Sequence, residues 1–299
     1  ASEYRAQGRG GKGIRAMATR EEDYVETVFT ASTHDYILFF TSFGRVYRKK
    51  GYQIPEAGRT ARGTNIVNII PVEPGEKVSA MLHVREFGDM YIFMVTQNGT
   101  VKRLPLDAIK NIRKSGIRAL SIAEDDRLIT VRLTDGKQNI LIATHEGYAI
   151  CFDENDVRPM GREAAGVRGI KLREGDYVVG AGRAGGGTAL LSVTENGYGK
   201  RTLLDDYLRG ADGERQPQSR GGMGLKNYNC TEKTGYVADV KVVRDDDDLL
   251  IIADDGTIIR TAASGVSILG RATQGVRLMR PNPGAKVISV ARTEREDSE

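Results

Sequence analysis

Short apolar runs alternate with glycine-marked turns along this chain, and the alternation repeats. Five times an apolar run leads into a turn that ends in glycine, and a second run comes after it. The first copy is Tyr36-Ile37-Leu38-Phe39-Phe40 before the turn at 41–44. The others are runs 91–95, 140–143, 189–193 and 249–253, before turns 96–99, 144–147, 194–197 and 254–256. Four of the turns read Thr-x-x-Gly, and in the last Ala253 stands where the others have Thr. Glycine supplies the positive φ that a tight hairpin needs. Gly44, Gly99, Gly147, Gly197 and Gly256 are 55, 48, 50 and 59 residues apart. The run before each turn is apolar at nearly every position, the pattern of a strand covered on both faces.

A second signature falls between the hairpins: Arg-x-x-x-Gly, then an apolar and a basic residue. It reads Arg9 to Gly13 with Ile14-Arg15, Arg162 to Gly166 with Val167-Arg168, Arg220 to Gly224 with Leu225-Lys226, and Arg271 to Gly275 with Val276-Arg277. Arg59 to Gly63 keeps the core but continues Thr64-Asn65, and Gly116 keeps Ile117-Arg118 with its arginine shifted to Arg113. The six glycines are 50, 53, 50, 58 and 51 residues apart. The segments behind them alternate, so one face of each meets solvent or a ligand. A period near 50 residues with several strands per unit, and no helical periodicity, predicts a closed radial array rather than a solenoid. The expected fold is all-β: a six-bladed β-pinwheel, that is, a propeller-like ring of four-stranded blades. Five hairpins are complete in the chain and the sixth blade is partial. Six signatures against five hairpins imply a sixth hairpin upstream of residue 1. The alternative is that residues 282–292 close the ring with the N-terminus. The ring is expected to span 1–292, with an acidic tail over 293–299.

Composition narrows the function by exclusion. The 299 residues carry 44 Lys and Arg against 40 Asp and Glu, with a pI near 8.9, so bulk charge decides nothing. No apolar stretch approaches 18 residues, which excludes a membrane span, and residues 1–20 do not read as a signal peptide. Cys151 and Cys230 are far apart and lack metal-ligand spacing, which favours a reducing cytoplasm without zinc.

Placement of charge is more informative than its sum. Three and four residues after each turn glycine stand Tyr47-Arg48, Lys102-Arg103, Ile150-Cys151, Lys200-Arg201 and Ile259-Arg260. Equivalent positions of a radial repeat share a rim. The expected cationic rim therefore comprises Arg45, Arg48, Lys49, Lys102, Arg103, Lys200, Arg201 and Arg260 from the hairpins. The signatures add Arg15, Arg59, Arg62, Arg113, Lys114, Arg162, Arg168, Arg220, Lys226 and Arg271. Such a rim is a track for a curved polyanion, read through phosphates and not bases. Two readings stay open for the signature arginines: a phosphate contact, or a structural bridge between blades. The Lys-Arg pairs read as functional, although cations on strand edges also block aggregation. Asp245 to Asp248 reads as a solvated loop.

The densest motif is Gln7-Gly8-Arg9-Gly10-Gly11-Lys12-Gly13. It matches G-x-G-x-x-G, but no strand precedes it and the residues after it alternate like a strand, which argues against a dinucleotide site. It is not a phosphate-binding Walker loop, because Gly13 comes after Lys12 where Ser or Thr is required. Its glycines let backbone approach a phosphate, and Arg9 and Lys12 supply charge. With this box the chain resembles the C-terminal domain of bacterial DNA gyrase A, a β-pinwheel whose box reads Gln-Arg-Arg-Gly-Gly-Lys-Gly. Here Gly8 replaces one arginine. Ser2-Glu3-Tyr4, Thr33-His34-Asp35, Gly44-Arg45-Val46-Tyr47, Gly99-Thr100-Val101-Lys102 and Asn196-Gly197-Tyr198-Gly199-Lys200-Arg201 also match.

The resemblance implies a module that wraps double-stranded DNA with positive handedness, so that strand passage driven by ATP yields negative supercoiling. It implies Gln7, Arg9, Gly10, Gly11, Lys12 and Gly13 as DNA-binding residues. The implied partners are the rest of gyrase A and the B subunit in an A2B2 enzyme, in a cytoplasmic, nucleoid-associated setting with no membrane. The cleaving tyrosine and the ATP and Mg sites belong to other parts of that enzyme, so this segment is expected to be a monomer with no cofactor and no catalysis of its own. The histidines agree: His34 and His145 read as surface positions and His83 as a strand residue, with no catalytic spacing among them. The equivalent domain of topoisomerase IV, which lacks an intact box, is the near alternative. A protein-interaction propeller would put aromatic residues on the rim, and a propeller enzyme needs central catalytic groups that the sequence does not offer.

Overall fold

The computed structural model describes residues 14–15, 35–53 and 69–294. Its strands form five four-stranded antiparallel sheets, and each sheet is one blade. Given from one edge to the other, blade 1 is Val78–Val84, Tyr36–Thr41, Arg45–Lys50 and Ile117–Arg118. Blade 2 is Leu128–Thr134, Tyr91–Thr96, Thr100–Pro105 and Val167–Arg168. Blade 3 is Val178–Arg183, Asn139–Thr144, Tyr148–Asp153 and Leu225–Lys226. Blade 4 is Val237–Val243, Ala189–Thr194, Tyr198–Leu203 and Val276–Arg277. Blade 5 is Val287–Glu294, Asp247–Ala253, Thr257–Ala262 and Ile14–Arg15.

The repeated turn has a chemical cause. The hydroxyls of Thr41, Thr96, Thr144 and Thr194 accept from the backbone N–H four residues on, at 3.1–3.3 Å. In blade 5, where Ala253 has no hydroxyl, the Asp255 carboxylate accepts from Thr257 N–H at 3.0 Å instead. The five turn glycines hold φ between +81° and +95°. A Cβ on Gly197 would lie 2.1 Å from the Met279 carbonyl oxygen, so the turn also needs the empty space.

The leading strands of blades 2, 3 and 4 are each packed between two neighbouring blades. Ile92 and Met94 join Leu38 and Phe40 of blade 1, whereas Phe93 and Val95 join Ile140 and Ile142 of blade 3. Leu141 and Ala143 meet Leu190 of blade 4, and Leu191 and Val193 meet Leu249 and Ile251 of blade 5. This is why the runs are apolar at consecutive positions. Burial of each such side chain contributes roughly 1.5–3 kcal/mol.

The signatures supply the fourth strand of each sheet, in blades 1 to 4 with a one-unit offset. The two-residue strand behind Gly116 closes blade 1 after the chain has already built the hairpin of blade 2. The same step links Gly166 to blade 2, Gly224 to blade 3 and Gly275 to blade 4. Ile14–Arg15 closes blade 5, sharing a sheet with Val287–Glu294 as the alternative closure anticipates. The expected sixth blade does not appear among the described residues, and the signature at 59–63 lies outside them. The last strand runs to Glu294, two residues into the segment expected to be tail. Asp245 to Asp248 is not a plain solvated loop: Asp247 and Asp248 are buried and start the strand Asp247–Ala253. No helix among the described residues is long and apolar enough to cross a membrane.

Candidate nucleic-acid interface

Every sheet ends in its two-residue strand, and the second residue of that strand is a cation in all five blades. Arg118 pairs with Arg45, Arg168 with Thr100, Lys226 with Tyr148, Arg277 with Tyr198 and Arg15 with Thr257. Arg118 and Arg168 are exposed, and Lys226 and Arg277 half-buried. Aromatic faces support two of them: Lys226 lies 5.0 Å from the Tyr148 ring, and Arg277 lies 4.5 Å from that of Tyr198 and donates to its hydroxyl at 2.8 Å. Arg118 faces Glu163 at 3.6 Å, an exposed pair of little energetic weight. Arg118 and Arg277 are absent from the sequence-based rim, although the apolar-basic pair that ends the signature carries their signal. Arg173, 3.4 Å from the Tyr148 ring, has no counterpart in the repeat to announce it.

A second feature gathers expected rim residues. Arg48, Arg113 and Arg162 line one open groove of about 640 Å³ with Ser115. Arg48 is held by its bond to the Lys110 carbonyl at 2.9 Å, and Arg113 and Lys114 are exposed. Arg45 donates to Ser115 O at 2.5 Å and faces Glu73 at 3.6 Å. Lys49 is half-buried on the same strand.

The Lys-Arg pairs are different, and the structure corrects their expected place on the rim. Lys102 is fully buried, and its Nζ donates to the carbonyls of Ala119, Arg162 and Ala164 at 2.8–2.9 Å. Lys200 is equally buried and donates to Gly270 O at 2.7 Å, Arg271 O at 2.6 Å and both oxygens of Thr273 at 3.0 and 3.3 Å. Each ammonium thus fills the loop of an Arg-x-x-x-Gly signature. Burial pushes Lys102 down to about 8 and Lys200 to about 7. Arg103 and Arg201 are buried as well. Their Nε groups donate to Val157 O and Val266 O at 2.8 Å, and their Nη1 groups face Glu154 at 3.4 Å and Asp245 at 2.5 Å. Arg260 is half-buried and bonded to the Asp248 carboxylate. None of these five extends freely into solvent: Lys102, Arg103, Lys200 and Arg201 donate to backbone carbonyls of the segments packed against their strands, and Arg260 is paired with buried Asp248 within its own blade.

Two signature arginines follow the structural reading. Arg220 donates to the Arg168 carbonyl at 2.7 Å, and Arg271 to the Lys226 carbonyl at 3.0 Å. Each staples its own short strand to that of the preceding blade. Gln7, Arg9, Gly10, Gly11, Lys12 and Gly13, with Arg59 and Arg62, lie outside the described residues, as does His34. His83 is exposed on the strand Val78–Val84. His145 is not a plain surface residue: it stacks between Tyr177 and Tyr236 at 4.4 and 4.5 Å, with Nε2 3.5 Å from Glu195. Among the described residues no group of three or more His, Cys, Asp or Glu is placed to hold a metal ion. Cys151 is buried, with its thiol pushed up to about 12.

Comparison with known proteins agrees with this geometry. The family model described as DNA gyrase C-terminal domain, beta-propeller, matches residues 1–32, 35–85, 91–135, 138–184, 189–211 and 247–294. The DNA gyrase A protein of Staphylococcus aureus strain NCTC 8325 is 45% identical across the whole chain, and that of strain MRSA252 is 44% identical. The chain spans 33% of the length of each. A solved DNA gyrase A C-terminal domain superposes with a TM-score of 0.83 at 26% identity, covering 97% of this chain and 93% of that one. The C-terminal domain of a DNA topoisomerase IV gives 0.76 at 27% identity, over 88% and 80%. With its six matched segments and near-complete coverage, the chain belongs to the DNA gyrase C-terminal domain family.

Proposed function

We propose that this chain binds duplex DNA along its rim and bends it, without regard to base sequence, as the wrapping module of a gyrase. The observation that carries this reading is the cation at one register position on the outermost strand of every blade: Arg15, Arg118, Arg168, Lys226 and Arg277. Cations in a series along an arc suit a curved polyanion better than a point ligand. A bend of roughly 40–90° costs DNA about 1–6 kcal/mol, which several phosphate contacts offset. The groove of Arg48, Arg113 and Arg162 extends the track, and Gln7 to Gly13, Arg59 and Arg62 add to it on the same reasoning.

In this reading the chain works with the remainder of gyrase A and with the B subunit in an A2B2 enzyme at the nucleoid, and it biases strand passage towards negative supercoils. ATP and Mg act elsewhere in that enzyme, and this segment is monomeric. A sixth blade, expected from the six signatures in the sequence, is part of this reading. The topoisomerase IV reading has the second structural likeness behind it, while the near-complete box at Gln7 to Gly13 favours gyrase.

Ligation of nicked circles with the domain bound tests the proposal. A linking-number shift that grows with protein and saturates is expected. Tight binding with no shift would leave a DNA binder that does not wrap.

A further inference from the structure

The inner strands of all five blades line one central cavity of about 980 Å³. Its lining carries the acids Glu124, Asp125, Asp126, Glu195 and Asp239 as well as cations. Arg132, Arg183, Lys241 and Arg292 come from four different inner strands and all line it. Arg132 and Lys241 occupy equivalent rungs, opposite Phe93 and Leu191, and Arg183 and Arg292 sit one rung further from the turns, opposite Ile140 and Leu249. Arg183 and Arg292 converge at Gly186, where a Cβ would meet Arg292 Nη1 at 3.5 Å and Arg183 Cγ at 3.8 Å.

Two of the four cations are neutralised. Lys241 Nζ lies 3.3 Å from Asp239, and Arg292 Nε 2.6 Å from Asp247. Arg292 also donates to Gly186 O and Val242 O at 2.7 and 3.3 Å. Arg132 donates only through Nη1, to Thr130 Oγ1 and Val131 O at 2.7 and 3.0 Å, and has no carboxylate partner among the described residues. Arg183 has neither a hydrogen bond nor an ion pair among them. Burial lowers the Arg132 pKa most; Asp239 opposes this, while Arg183 and Arg292 add to it. Lys241 is lowered in the same way, by burial first and also by Arg132. Arg132 thus shares the field of Asp239 with Lys241, and Arg183 faces the cavity without a carboxylate partner among the described residues. Guanidinium forks match phosphate oxygens bidentately.

We propose that the central cavity holds a binding site for a small free phosphoanion, with Arg132 and Arg183 as its ligands and Lys241 and Arg292 flanking them. Inorganic phosphate and pyrophosphate are the class. Duplex DNA is not the occupant, since its major groove alone is about 12 Å wide and the cavity is walled by strands on every blade. The site is separate from the rim and does not depend on the DNA reading.

The test is calorimetric titration of the full chain with pyrophosphate at constant ionic strength. Saturable binding at one site per chain is expected. Arg183→Gln should weaken it about tenfold, the order of one lost charged hydrogen bond, and adding Arg132→Gln should abolish it. Arg183 holds nothing else in place, so its single variant decides the matter even if the double variant unfolds. Binding that never saturates, or that Arg183→Gln leaves intact, would overturn the proposal. So would binding lost on replacing Arg48, Arg113 and Arg162 together, or displaced by duplex DNA, because the anion would then occupy the rim.

Discussion

Lys102 and Lys200 occupy the repeat position where a phosphate contact is most expected, yet each Nζ ends inside the molecule. The carbonyls around them explain the difference. A signature loop turns several acceptors inward, and a buried acceptor without a donor is costly. Replacing Lys200 with Met should therefore lower stability by about 1–3 kcal/mol in chemical denaturation, while the rim stays intact. A pH effect arises from the same burial. Lys200 is pushed down to about 7, whereas in the unfolded chain it sits near 10.4. Between those values the unfolded state holds a proton that the folded state lacks, so stability rises with pH. Lys102 adds to this from about 8. Cys151, pushed up to about 12, acts in the opposite sense once the unfolded thiol ionises near about 8.5. The melting temperature should accordingly climb from pH 7 to 8.5, and Lys200→Met should flatten the climb. An equal slope in that variant would mean another group is responsible.

The elements that matter most are the two-residue outer strands, and they carry a separable prediction. Arg118, Arg168, Lys226 and Arg277 each project from a strand edge with few protein partners. Changing exposed Arg118 or Arg168 to Ala should leave stability within about 0.5 kcal/mol. It should also weaken DNA binding equally on any sequence and reduce the slope of log affinity against log salt by about 0.9. Arg220 and Arg271 should behave differently, since they staple one outer strand to the next; their loss should lower the melting temperature as well as affinity. Turn glycines are stricter still. Gly197→Ala combines φ +86° with a 2.1 Å approach to Met279 O, and should cost at least about 1–3 kcal/mol. Much of this architecture is legible in the chain. Consecutive apolar residues mark leading strands such as Tyr91–Thr96, and Thr-x-x-Gly marks their turns. The alternating pairs such as Ile117-Arg118 mark the edges. Burial of the Lys-Arg pairs is not legible, because repeat position fixes only the strand and the rung. Whether Arg103 meets solvent or Glu154 depends on a turn some fifty residues later in the chain. The central cations are hidden for a similar reason. Arg132 and Lys241 share a rung, but blades 1, 3 and 5 have Leu82, Gly182 and Ala291 there, so no period announces them.

At the scale of the whole molecule, the one-unit offset links blades in series. The outer strands of blades 1 to 4 are delivered from beyond the next hairpin and that of blade 5 from the first described strand, so neighbouring blades are held by backbone pairing as well as by apolar contact, and the rim is built from segments distant in sequence. On the proposed reading, such a rim keeps its cations in fixed relation while DNA bends over it. Binding and wrapping therefore separate. Binding depends on the number of phosphates neutralised, and wrapping on whether contacts persist where the DNA has turned through the whole arc. Ile14–Arg15 closes blade 5, and Arg9 and Lys12 lie directly before it in sequence. Blade 5 stands at one end of the row of described blades, so on the proposed reading a contact there lies at an end of the DNA arc. Changing Arg9 and Lys12 together to Ala should thus reduce the linking-number shift in nicked-circle ligation far more than it reduces affinity for a short duplex. The Arg168→Ala and Lys226→Ala variants should reduce both in proportion. If the Arg9 and Lys12 variant lost affinity and shift in equal measure, those residues would be ordinary members of the rim, and nothing about closure would distinguish them.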